Sequence, residues 1–142
     1  MHHLAIMNPK WHLIEKILLG EKTIESRWYK NKIGPWDRIQ AGDIVYFKDA
    51  GKKVTAKAIV SQVLQREITQ LSMALTLVKT HKNELCFTDE SLVDTSWLDG
   101  KRYAILIFLT KPEPVEQFAI NKTGFGSACA WICIKDIKAL KQ

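Results

Sequence analysis

The spacing of apolar and polar positions in this 142-residue chain changes several times, and each change marks an element. Residues 3–7 form a short apolar run that reads as a first strand. Asn8-Pro9 then supplies a capping side chain followed by proline at the first helical position. Trp11, Leu13, Ile14, Ile17 and Leu18 recur at intervals of three and four, so the pattern predicts a helix over residues 9–19. Gly20 ends it, because glycine takes the left-handed capping conformation without steric cost. Residues 44–47 and 54–63 read as a hairpin joined through Asp49 and Gly51, with Val54, Ala56, Ala58 and Val60 sharing one face of the second strand. The helical interval returns at Leu71, Ala74, Leu75 and Val78, predicting a helix over 70–80 with Thr69 as its cap.

Residues 83–102 have no clean period and carry Asp89, Glu90, Asp94 and Asp99, so a loop with one short helix over 90–93 is expected. Its acidic character argues against contact with phosphate. Residues 103–109 are apolar on both faces, as a central or barrel strand would be. Pro112 and Pro114 are expected to stop that strand, because proline donates nothing to a ladder. Further strands are expected over 115–120 and 130–134, separated by a glycine-bearing loop and followed by a short basic tail. The mixture of periods predicts an α+β fold of five to seven strands. With 46% hydrophobic residues the chain is long enough for one core and too short for two, so residues 1–142 are read as a single domain.

The chemistry concentrates in Gly20-Glu21-Lys22-Thr23-Ile24-Glu25-Ser26-Arg27-Trp28, where the first helix ends. Lys22 and Glu25 share a face if the helical turn persists, and Glu25 and Arg27 share one if the chain is extended. A helix-to-strand change at about Ile24 therefore brings all three together in a polar pocket. The plainer reading is an exposed strand start with one surface ion pair, which stabilises little.

Together with Met7-Asn8-Pro9-Lys10-Trp11 and Ala41-Gly42-Asp43-Ile44-Val45, this segment resembles the ASCH domain, a branch of the PUA-like superfamily, whose hallmark is G-x-K-x-x-E-x-R followed by a G-D strand start. The resemblance covers most of the first 60 residues. It implies a PUA-like β-barrel with flanking helices, a cleft lined by the motif, and ligands that are RNA or derived from nucleotides. Some members resembled are ribonucleases or amidohydrolases acting on acetylated cytidine. The amidohydrolases use a Lys and a Thr three residues later, and this chain has Glu25 at that position.

A formal charge of +6 favours anionic partners such as nucleic acid, although a basic solvated surface is equally compatible with it. No apolar run reaches the roughly 18 to 20 residues of a membrane span, and the first residues lack the pattern of a secretory signal, so a cytoplasmic protein is expected. Cys86, Cys129 and Cys133 lack a disulfide framework and are expected to be reduced and buried. Without a second Cys-x-x-Cys or a His pair, no metal site is expected, and no cofactor. His2, His3, His12 and His81 are assigned to the surface.

Two function classes follow, and a third is blander. In a binding module, Lys22 and Arg27 neutralise phosphate, Glu25 accepts from a base amino group or orients the cations, and Trp28 or Trp131 stacks on a base. In a hydrolase, Lys22 is the acid, base or charge stabiliser, Glu25 the proton acceptor or orienter, and Ser127 a candidate nucleophile or ligand contact if its loop folds over the pocket. The third class is a protein-interaction module. A carboxylate beside Lys22 and Arg27 is expected to keep both cations protonated, which suits an electrostatic clamp on phosphate better than a base.

Overall fold

The structure is a computed structural model that describes residues 1–142. Its frame is one curved six-stranded sheet, ordered β2-β5-β4-β3-β1-β6, forming a half-barrel flanked by short helices. The strands are β1 (His2–Met7), β2 (Ile24–Tyr29), β3 (Ile44–Asp49), β4 (Val54–Glu67), β5 (Tyr103–Phe118) and β6 (Trp131–Ile134). Only β1 and β3 run parallel; the other neighbours are antiparallel. The helices are α1 (Leu13–Leu18), α2 (Leu71–Thr80), α3 (Lys82–Leu85) and α4 (Asp89–Val93). None is long and apolar enough to cross a membrane.

The strand β5 explains its own double-sided apolar pattern. Ile105 and Ile107 enter the core inside the half-barrel with Val45, Phe47 and the α1 residues Ile14 and Ile17. Ala104 and Leu106, one position out of phase, pack on the opposite face with Ile24, Val78 and Leu85. Contrary to the expectation from its prolines, β5 continues past Phe108 to Phe118. Its partner β2 ends opposite Phe108, so beyond that point β5 is an edge strand and Pro112 and Pro114 withdraw no hydrogen bond that a neighbour needs. Three register shifts along β4 and β5 bend the pair, as bulges do.

Other expectations are corrected locally. The first helix is broken: a 3₁₀ turn at Pro9–Trp11, capped by Asn8, is separated from α1 by His12 at φ 53°. The cap of α2 is Gln70, and the Thr69 hydroxyl faces Met73 Sδ instead. The segment expected as a loop with one short helix instead holds most of α3, all of α4 and a 3₁₀ turn at Ser96–Leu98. The tail is packed, with Ile137 and Leu140 in a small core with Leu4 and Val54. All three cysteines are free and only half-buried. His3 is not a surface residue: it is fully buried in β1 and hydrogen-bonded to Asp43.

Candidate functional site

A pinned reversal delivers the charged motif. After Gly20, at φ 78°, the N–H groups of Glu21 and Lys22 both donate to Lys16 O and close the end of α1. Thr23 is held on both sides, donating to Glu84 O and accepting from Leu109 N. From Ile24 the chain is extended, so Glu25, Arg27 and Tyr29 alternate onto one face of β2 and Ser26 and Trp28 onto the other.

Lys22 is 2% exposed, and its Nζ donates to Leu85 O at 2.6 Å and Ile24 O at 2.7 Å. It lies 3.4 Å from Glu25 Oε1, which occupies the remaining donor of an ammonium. Burial pushes Lys22 down from its ordinary range more strongly than the Glu25 carboxylate pushes it up. The carboxylate of Glu25 acts on Lys22 in the expected direction, and desolvation opposes it. Glu25, 5% exposed, accepts from Ser26 N at 3.1 Å and from Arg27 Nη2 at 3.0 Å. Burial works to raise its carboxyl pKa, but the charges of Lys22 and Arg27 and these hydrogen bonds win, holding it below the usual carboxylate range.

Arg27 spans the seam where the half-barrel fails to close. Its strand β2 is one edge of the sheet and β6 the other. The guanidinium donates through Nη1 to Ala130 O at 3.2 Å and through Nη2 to Ile6 O at 3.4 Å, and it lies 5.0 Å from the Trp131 ring centroid. Its Nε is buried without an acceptor.

A cavity of about 560 Å³ wraps around this free edge of β2. Lys22, Glu25, Arg27 and Trp28 all line it. Trp28 meets the Trp97 edge at 5.7 Å and Phe87 meets Trp97 at 5.3 Å, forming an aromatic wall. The indole N–H groups are anchored away from the ring faces: Trp28 donates to Ser26 Oγ and Trp97 to Ser91 O. Trp11, 48% exposed, and Lys101 complete the lining at other points.

The structure does not bring Ser127 or Trp131 into this wall. Ser127 is exposed in the loop before β6. Trp131 is 6% exposed, behind Arg27, with its indole N–H donated to His3 Nδ1 at 3.1 Å. The cavity instead recruits Phe87, Thr88, Ser91, Trp97 and Lys101 from the segment expected to stand apart because it is acidic. Its carboxylates lie outside the wall. The only sequence signal was the adjacency of aromatic and hydroxyl residues at Phe87-Thr88 and Ser96-Trp97. No cluster of three or more His, Cys, Asp or Glu side chains is arranged to hold a metal ion.

No family model matches the sequence, and no curated protein matches it. Among solved structures the chain is similar to the ASCH protein from Zymomonas mobilis, with a TM-score of 0.69 at 14% identity, covering 97% of this chain and 90% of that one. A single-residue variant of that protein gives 0.70 at 14% identity, over 97% of this chain and 93% of that one. A hypothetical protein, PH0355, is similar at a TM-score of 0.54 and 20% identity, over 81% of this chain and 100% of that one. Likeness at these identities speaks to architecture. The chain has the fold of these ASCH structures, an α+β half-barrel.

Proposed function

We propose that this ASCH-type fold binds single-stranded RNA or an RNA-derived nucleotide in the cavity around β2. The observation that carries the reading is the union, in one space of about 560 Å³, of aromatic side chains with two cationic ones, Arg27 and Lys101. The size falls within the range of roughly 300 to 1,000 Å³ typical of small-ligand sites. In this reading a base stacks on the aromatic wall, since every base has a π-face. Arg27 donates to a ligand oxygen, and Lys101 neutralises a neighbouring phosphate.

The roles differ from those the motif alone suggested. Lys22 has its donors committed within the chain, so it holds β2 against the end of α3 and leaves ligand contact to Arg27. Binding is favoured over hydrolysis because the aliphatic hydroxyls of the wall are already engaged. Ser26 Oγ accepts from Trp28, and Thr88 and Ser91 are bonded to each other. Fluorescence anisotropy with a labelled mixed-sequence RNA decamer tests the reading. Affinity is expected to fall linearly on logarithmic axes as salt is added, as counterion release requires, and to drop in Arg27→Ala. Undetectable binding, or equal affinity in that variant, would overturn it.

A further inference from the structure

Trp131 and His3 were expected to do other things, one to stack on a base and the other to sit at the surface. The structure joins them in a buried chain leading to Arg27. Asp43 Oδ2 lies 2.8 Å from His3 Nε2, and His3 Nδ1 lies 3.1 Å from Trp131 Nε1. An indole N–H only donates, so His3 Nδ1 accepts and the ring proton resides on Nε2, donated to Asp43. Asp43 also accepts from Gln40 N at 3.1 Å. The face of Trp131 in turn carries the Arg27 guanidinium, 5.0 Å from its centroid. His3 is 0% exposed, Asp43 4% and Trp131 6%.

We infer that His3 and Trp131 are positioning residues for Arg27, and that protonation of His3 at Nδ1 weakens ligand binding in the cavity by unseating the indole beneath the guanidinium. The chemistry leaves one place for an added proton. Nε2 already carries hydrogen, so the proton must take the Nδ1 lone pair that holds Trp131. Two N–H groups then face each other at hydrogen-bond distance, and in a water-free position neither finds another acceptor without moving. The indole is the group that yields, because His3 keeps its stronger, charged partner Asp43. Arg27 loses the surface it rests on and with it the position of its guanidinium.

The groups facing His3 decide where this happens. Besides Asp43, they are the Met1 amine, which is 3.2 Å from Asp43 Oδ1, the Arg38 guanidinium and the Cys133 thiol, whose residue pairs with His3 across β1 and β6. Burial lowers the pKa of His3, Asp43 raises it, and the Met1 amine and Arg38 lower it further; burial prevails. The imidazole is therefore neutral at neutral pH, and the change is expected below its ordinary value of about 6.5.

This inference rests on the proposed role of Arg27 as a ligand contact, so its test has one arm without ligand. In nitrogen–proton correlation spectra of the free protein, the Trp131 indole and Arg27 Nε–H signals should shift with a common midpoint as pH is lowered from about 7.5 through the His3 transition, which lies below about 6.5. Both should stay still in His3→Gln, whose amide reproduces the donor and the acceptor but cannot be protonated. With the labelled RNA decamer, affinity should weaken by about fivefold over that interval, the low end of typical coupling between linked sites. His3→Gln should remove that fall. An Arg27 signal that stays still while Trp131 shifts, or a His3 that never titrates before unfolding, would overturn the coupling. Coupled signals combined with RNA affinity indifferent to Arg27→Ala would leave the relay standing and overturn the binding role instead.

Discussion

The two walls of the cavity are built from opposite materials. On the β2 side, Lys22 and Glu25 are almost completely buried, and Lys22, Glu25 and Arg27 satisfy one another and nearby carbonyls at 2.6–3.4 Å. The other wall, running from Cys86 to Lys101, is set by rings in edge-to-face contact, Phe87 between α3 and α4 and Trp97 in the 3₁₀ turn after α4, with the hydroxyl groups of Thr88 and Ser91 between them in the chain. The first wall is fixed because any movement strands a buried charge. The second is fixed by packing, which is less directional and tolerates exchange among apolar side chains of similar volume. A site assembled this way takes its geometry from the charged side and its contact area from the aromatic side.

That contrast is most sharply broken by Lys22→Ala. It leaves Leu85 O, Ile24 O and Glu25 without their shared donor, and it is expected to cost about 3–5 kcal/mol. A urea titration followed by circular dichroism reads this as a lower midpoint. A variant as stable as the parent would mean that the ammonium is not the strut described here. Trp97→Ala removes a half-buried ring from the other wall. It should cost about 2 kcal/mol, below the roughly 3–5 kcal/mol of a fully buried aromatic, and it should also weaken RNA binding.

The charged wall was legible in the sequence and the aromatic wall was not, for the same physical reason. Glu25 and Arg27 are two residues apart on a strand, and Lys22 is one turn of reversal away, so local spacing alone brings them together. Phe87 and Trp97 reach Trp28 through tertiary packing of residues 83–102, which no periodicity foretells. The acidity of that segment pointed away from the site, yet its carboxylates face elsewhere while its rings and hydroxyls line the cavity. Trp131 and His3 show the converse. Residue type suggested stacking and surface roles, but β1 and β6 pair as neighbours and enclose both side chains. The long β5 was misread because the prolines were judged without knowing that β2 ends before them.

Two smaller effects sharpen the comparison by separating affinity from stability. Trp11→Ala alters a residue 48% exposed. It should change stability by no more than about 0.5 kcal/mol while reducing RNA affinity about fivefold, near the low end for loss of one base–aromatic stack. Anisotropy beside thermal melting checks both halves. The acid limb of the stability profile belongs to the charged wall: the folded carboxyl of Glu25 is held below its unfolded value of about 4.3. Its stabilisation is therefore present above that pH and is lost as pH falls through the folded value. Glu25→Gln should flatten that limb when unfolding is followed as a function of pH, and an unchanged slope would place the acid sensitivity elsewhere.

The claim that a base lies against the aromatic wall is tested most directly by the five indole N–H signals in a titration with the RNA decamer. Trp11, Trp28 and Trp97 should shift saturably along one binding curve, whereas Trp36, packed on Tyr103 at 5.0 Å outside the cavity lining, should not. Saturable RNA binding with Trp36 shifting and the other three unmoved would contradict the assignment of the site.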